Sequence, residues 1–187
     1  MAESIVIAII IAKIKGFKIE RLFKIKEFYL ILFMELLVLY VQFNIYRENY
    51  WVIQYAGIFK CVYLLSYLPL IYKVSIYKEA LIGSGFIFLG GTFNNIAIKA
   101  NNGFMPVYPT LSKITGYYKV GAFEKVNDIH ILLGNGSKLW YLSDVFDLGY
   151  SVLSIGDILI RIFVVIIIYS SIKKLNNNSV VGDEKTC

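Results

Sequence analysis

Cysteine, proline, histidine and charge are all scarce in this sequence, and each shortage removes a class of function. There are two cysteines among 187 residues. Cys61 lies in an apolar run and Cys187 at the end, too few for a disulfide framework and without metal-ligand spacing. His130 is the only histidine. One imidazole with scattered carboxylates (Asp128, Asp144, Asp157) makes no compact ligand set, so no metal and no other cofactor is expected. The Gly134-Asn135-Gly136 stretch reads as a turn rather than a phosphate-cradling loop, and Ser154 lacks a nucleophile's setting. Charged residues make up 17% of the chain and hydrophobic ones 58%. A soluble domain carries about a quarter charged and under half apolar residues. With a mean hydropathy of +0.64, the composition is that of an integral membrane protein. The formal charge of +6 raises nucleic acid as a partner. The basic residues instead flank apolar runs, as membrane borders do, and no groove-reading or base-stacking pattern accompanies them.

The apolar runs predict an all-α membrane protein with about five transmembrane helices, over 2–17, 28–46, 51–72, 80–100 and 155–172. Together they form one transmembrane domain, 1–174. A long extracytoplasmic loop, 101–154, precedes the last helix, and the cytoplasmic tail 175–187 is expected to be disordered. The first run follows Met1-Ala2-Glu3-Ser4, which has no basic n-region, so it reads as a helix rather than a cleaved signal. At 1.5 Å per residue it spans about 24 Å, short of a hydrocarbon core of about 30 Å. Lys13, Lys15, Lys18, Arg21, Lys24 and Lys26 face only Glu20, with apolar residues interleaved. This linker should lie on the anionic inner leaflet, which makes membrane lipid its expected partner. The same bias fixes topology: N-terminus outside, C-terminus cytoplasmic.

Three features inside the runs carry more than hydrophobicity. Glu35 and Lys60 interrupt neighbouring antiparallel helices about 12 and 13 Å below their outer ends, matching depths that predict an intramembrane ion pair. The alternative for Lys60 is snorkelling to the interface. Gly83, Gly90 and Asn94 share one helical face, where a second backbone can approach closely. Pro69 predicts a kink in the third helix.

The 101–154 loop and the start of the last helix hold the candidate site: Asn102, His130, Asp144, Asp157 and Arg161. Asn102-Gly103 is a turn signal, and Pro106 and Pro109 bar a helix nearby. Asp157 sits at a helix N-terminus, where a carboxylate caps and meets the dipole. Arg161, four residues on, is placed to pair with it. The ordered motifs Asn102-Gly103-x-Met105-Pro106-Val107, His130, Leu139-x-x-Leu142-x-Asp144 and Ser154-Ile155-Gly156-Asp157 resemble an uncharacterised bacterial multi-pass membrane family, a domain of unknown function. The resemblance covers most of the chain. It implies a cell-membrane protein and brings no established activity.

Asp144 and Asp157 are also similar, in order and in the helix that follows, to the aspartates of lipoprotein signal peptidases. Here Ser154 stands for that family's asparagine and Gly156 for its alanine. That resemblance implies an aspartyl dyad that shares a proton while activating water. Two functional readings follow. The first is a binding or scaffold role through the outer polar site. The alternative is a membrane-embedded aspartyl hydrolase using Asp144 and Asp157. A transporter built on Glu35 and Lys60 lacks the internal repeats such folds show.

Overall fold

A computed structural model describes residues 1–125 and 128–183. The chain is mostly helical. Helices α1 (Ala2–Ile14), α2 (Glu20–Phe23) and α3 (Lys26–Tyr46) come first. A 3-10 stretch (Tyr50–Tyr55) leads into α4 (Ala56–Leu65), α5 (Leu68–Val74) and α6 (Tyr77–Ala100). The loop region holds β1 (Met105–Val107), α7 (Leu111–Ile114), α8 (Ala122–Lys125) and β2 (His130–Leu132). A 3-10 turn (Trp140–Leu142), β3 (Phe146–Asp147), β4 (Val152–Leu153) and the long α9 (Ile155–Asp183) complete it.

Four segments are long and apolar enough to cross a membrane: Lys26–Tyr46, Tyr50–Val74, Tyr77–Ala100 and Ile155–Asn177. Their surfaces carry the consequence. On α3, Tyr29, Leu30, Phe33, Leu36, Leu39, Tyr40 and Phe43 are exposed, and on α6 so are Leu81, Ile82, Phe88, Leu89 and Ile96. Apolar area on that scale is costly in water and at home in lipid. The fifth expected helix falls short. At 13 residues, α1 rises about 20 Å, and its buried stripe of Ser4, Ile5, Ala8 and Ala12 shows it packed on protein.

The second span, the third of the five expected helices, is broken where Pro69 predicts it. Ser66 and Tyr67 form a turn, and α5 restarts with Pro69 in its first turn, where a missing N–H costs nothing. At the other end, α9 runs on past Lys173-Lys174 to Asp183. The expected tail at 175–183 is therefore helical backbone, and 184–187 lie outside the described residues.

Two compact units divide the chain. The first comprises 1–38, 59–86 and 161–187, with an apolar core that includes Phe28, Ile31, Tyr63, Tyr67, Phe163, Val164 and Ile167. Tyr67 meets Phe163 edge-on at 5.6 Å. A Cβ on Gly83 would lie 2.7 Å from Phe163 Cδ2, the close approach that a small residue permits. The basic linker is tied to the end of α9. Lys18 N–H donates to Asn176 Oδ1 (2.9 Å), and Asn176 Nδ2 donates back to the Lys18 carbonyl (3.1 Å). Arg21 Nη1 donates to the carbonyls of Leu175 and Asn176.

The second unit comprises 39–58 and 87–160. Its small sheets follow from the prolines: Met105-Pro106-Val107 is extended because proline bars a helix there. β1 pairs with β2 in parallel, Met105 opposite His130, and Val107 bridges to Asp144 on its other edge. Tyr108 N–H donates to the Asp144 carbonyl (2.8 Å) and Asp144 N–H to that of Pro106 (3.0 Å). β3 and β4 form an antiparallel pair.

Candidate functional site

The motif residues of the loop converge on β1. His130 lies on one edge of that strand and Asp144 on the other, and their side chains meet, His130 Nε2 to Asp144 Oδ2 at 3.4 Å. The second ring nitrogen, Nδ1, lies 2.5 Å from Asp128 Oδ2. Asp128 is itself held by the Ile129 N–H (2.7 Å), and Phe123 stacks on the imidazole at 6.5 Å. Burial pulls the His130 pKa down, but hydrogen bonds and charge from Asp128 and Asp144 outweigh it and lift it to about 10. Burial likewise pushes Asp128 up, and the imidazolium more than offsets this, leaving it below the usual carboxylate range. At neutral pH His130 is therefore an imidazolium, set between Asp128 and Asp144.

A cavity of about 280 Å³ opens over this cluster. Its walls include Tyr50, Tyr117, Tyr118 and Phe123, with Ser112 and Ser151 among the polar lining and Asp128, His130 and Asp144 as its ionisable centre. Burial, with Tyr50 close by, pushes the Tyr117 phenol up to about 12, so it stays neutral. Ile45, Tyr50, Ile53 and Ala56 close the cavity from the connection between α3 and α4. That connection is pinned by Lys119 Nζ to Glu48 at 2.9 Å. Among the described residues, no three His, Cys, Asp or Glu side chains converge as metal ligands; both His130 nitrogens are turned to carboxylates.

The remaining motif residues have other neighbours. Asn102 (φ 57°) and Gly103 (φ 92°) are successive left-handed residues closing α6, with the Gly103 N–H on the Ile98 carbonyl at 2.9 Å. Asn-Gly serves that geometry. Asn102 is exposed. The polar work expected of Asn102 falls to buried Asn101, whose Nδ2 donates to the Ala97 and Lys138 carbonyls while its Oδ1 accepts the Lys138 N–H, each at 2.8 Å.

Ser154-Ile155-Gly156-Asp157 is a helix cap. Ser154 Oγ accepts the Asp157 N–H (2.9 Å), and Asp157 Oδ2 accepts the Ser154 N–H (3.5 Å), a reciprocal capping pair. Asn94 on α6 joins both, with Nδ2 to Asp157 Oδ1 at 3.3 Å and Oδ1 to Ser154 Oγ at 2.7 Å. Arg161, four residues after Asp157, is not paired with it through Nη1. Its Nη1 instead donates to Glu3 (2.8 Å). In the first unit, buried Glu35 takes its hydrogen bond from Tyr63, which also shares one with Tyr67 (2.7 Å), and the Met1 ammonium lies 3.8 Å from it. Among the described residues the Glu35 partners are Tyr63 and the Met1 ammonium rather than Lys60.

Asp147 escaped the sequence reading. It accepts Thr110 N–H, Ser112 N–H, Ser112 Oγ–H and Gly149 N–H between 2.6 and 2.9 Å. Its pKa is lowered, those bonds outweighing the effect of burial. The Asp147-x-Gly149 turn was the available signal.

A family model matches residues 20–169. The chain belongs to the family of unknown function DUF5317. The match takes in the four apolar helices nearly in full, the His130 cavity and the cap, but not α1. No curated protein and no solved structure matches the chain. DUF5317 carries no recorded chemistry, so the reading of the cavity rests on its own residues.

Proposed function

We propose that this multi-pass membrane protein is a binding protein whose 101–154 region, on the extracytoplasmic side, holds a small ligand in the His130 cavity. One observation carries the reading: a 280 Å³ cavity with aromatic walls and an Asp128–His130–Asp144 centre. Apolar walls with a few convergent polar groups are the usual build of a small-molecule site. The topology is supported by threading. The 46–50 connection and the 101–154 region share the cavity, while the basic linker and the end of α9 share the Asn176 contacts. Four alternating spans put the first pair of segments on one side and the second on the other. Positive-inside bias then assigns the lysine-rich pair to the cytoplasm and to anionic lipid, the C-terminus with it, and α1 points outward from the linker.

An aspartyl hydrolase draws less support. Asp144 is engaged with His130 and Asp157 with Ser154 and Asn94, so each carboxylate has partners other than the second one.

Ser151 lines the cavity, which supplies the test. In a Cys61→Ser, Cys187→Ser background, Ser151→Cys should react with a membrane-impermeant maleimide in intact cells. Ala122→Trp, which fills the cavity, should slow that reaction. Labelling only after permeabilisation would reverse the orientation, and labelling indifferent to Ala122→Trp would remove the site.

A further inference from the structure

We infer that the turn 138–142 is an interfacial anchor, whose Trp140 and Tyr141 sit in the lipid leaflet at the Ala100 end of α6, level with the glycerol esters. Depth points there first. α6 has 24 residues and rises about 36 Å, against a hydrocarbon core of about 30 Å with an interfacial zone of about 6 Å on each side. Centred on that core, the helix carries Asn101 about 4 Å past its edge and Asn94 about 7 Å inside it. Both asparagines hold later parts of the chain at their own level. Asn101 exchanges two 2.8 Å hydrogen bonds with the Lys138 backbone. Asn94 bonds Ser154 Oγ at 2.7 Å and Asp157 at 3.3 Å. The turn therefore starts inside the interfacial zone, and Trp140 and Tyr141 follow two and three residues on, in a 3-10 stretch that advances only about 2 Å per residue. Where the chain dips below the core edge, Leu153 and Ser154 are buried, as non-helical backbone at that depth has to be.

The side chains suit that depth. Trp140 is 59% exposed and Tyr141 50%, and their rings meet edge to face at 6.1 Å. At a membrane interface an indole and a phenol bury ring area while N–H and O–H reach ester and phosphate oxygens. Left-handed Leu139 (φ 50°) turns the chain ahead of them. The Leu142 and Ser143 N–H groups then close on the Leu139 and Trp140 carbonyls at 2.9 and 3.0 Å, which spends backbone donors internally where water is short. Charge fits the same occupant. Lys138 and Lys99 are exposed at this level, and 138–143 contains no carboxylate, so the turn offers lipid phosphates cations without a competing acid. A leaflet is favoured over a protein partner because the turn continues, in depth, the lipid-facing side of α6, where Phe88 and Ile96 are exposed. An anchor here requires only that α6 spans the bilayer; neither the His130 cavity nor the side on which 101–154 lies enters.

The test uses the full chain in phosphatidylcholine nanodiscs, which leave both faces open to solutes. Trp51 and Trp140 are the two tryptophans, so Trp51→Phe makes Trp140 the only emitter. Phosphatidylcholine brominated high on its acyl chains should remove about half of that emission, as expected of an interfacial indole. Bromine near the chain ends should remove distinctly less, and aqueous iodide should quench several-fold more weakly than it quenches free N-acetyltryptophanamide. Free quenching by iodide with no effect of either lipid puts the turn in water and overturns the anchor. Protection from all three quenchers puts a protein surface over the turn, a partner or a second copy, and overturns it too. Stronger quenching by the deeper bromines refutes an interfacial position. A second variant covers any effect of Trp51→Phe on folding. A nitroxide on Tyr141→Cys, in a Cys61→Ser, Cys187→Ser background, should collide with oxygen more often than with a water-soluble nickel chelate, and the reverse order overturns the anchor.

Discussion

Replacing Gly156 with alanine adds one methyl group to a place already occupied. A Cβ there would overlap Asn94 Oδ1 and the Gly90 carbonyl oxygen and stand 2.6 Å from Asn94 Cγ. Ordinary contact is about 3.4 Å or more, so the two backbones must part by about 1 Å or Asn94 must swing away. Parting them is overpacking, at about 1–3 kcal/mol. Moving Asn94 breaks its bonds to Ser154 and Asp157, at about 1 kcal/mol each, and loosens the cap. Alanine's better helix propensity returns at most about 1 kcal/mol. The net expectation is a loss of about 1–2 kcal/mol, measured by reversible unfolding in mixed micelles. Gly91 is the control, because a Cβ there meets nothing within 4 Å, and Gly91→Ala should be neutral or slightly stabilising. If Gly91→Ala cost as much as Gly156→Ala, or Gly156→Ala cost nothing, close backbone packing at the cap would be the wrong account.

Two further outcomes follow from the polar contacts. The His130 pKa is raised to about 10, so its contribution to stability is complete below the unfolded value near 6.5 and is lost as pH rises towards 10. Asp128, held low, contributes above about 3.8 and loses that in acid. The unfolding midpoint should therefore decline from pH 7 to 10, and His130→Gln should flatten that decline; a parallel curve for His130→Gln would refute the bracketed imidazolium. Asn176→Ala removes both bonds to Lys18 and should speed tryptic cleavage at Lys173-Lys174, with Arg21→Ala acting in the same direction. Unchanged cleavage in the double variant would show that the linker does not hold the end of α9.

The apolar runs made the spans legible, because hydropathy integrates over twenty residues and tolerates local error. Pro69 made the break legible, and the Gly83–Gly90–Asn94 face made the close packing legible, since period 3.6 alone places those residues together. Pairing was not legible. Glu35 and Lys60 stood at matching depth, yet nothing in their spacing revealed that Tyr63 reaches the carboxylate first. Asp157 and Arg161 satisfied the four-residue rule, but the rule sees one helix, and Glu3 came from another part of the chain. Asn102 drew attention that belonged to Asn101, because a turn motif marks backbone geometry and does not say which neighbour is buried. The His130 cluster was legible as residues and not as a centre. Parallel pairing of β1 with β2 depends on contacts across the intervening 108–129 segment, and no local pattern announces it.

The asparagine pairs at Lys138 and Lys18 have a consequence for sequence drift. In each, a side-chain amide copies the edge of a peptide unit, giving one donor and one acceptor to a backbone that returns the same. The lysine side chains take no part, so positions 18 and 138 can change freely without loosening either joint. Positions 101 and 176 cannot. Aspartate has no donor, glutamine carries the amide one methylene too far, and only asparagine presents both atoms at that reach. Substitution surveys of this chain should therefore find intolerance on one side of each joint and indifference on the other.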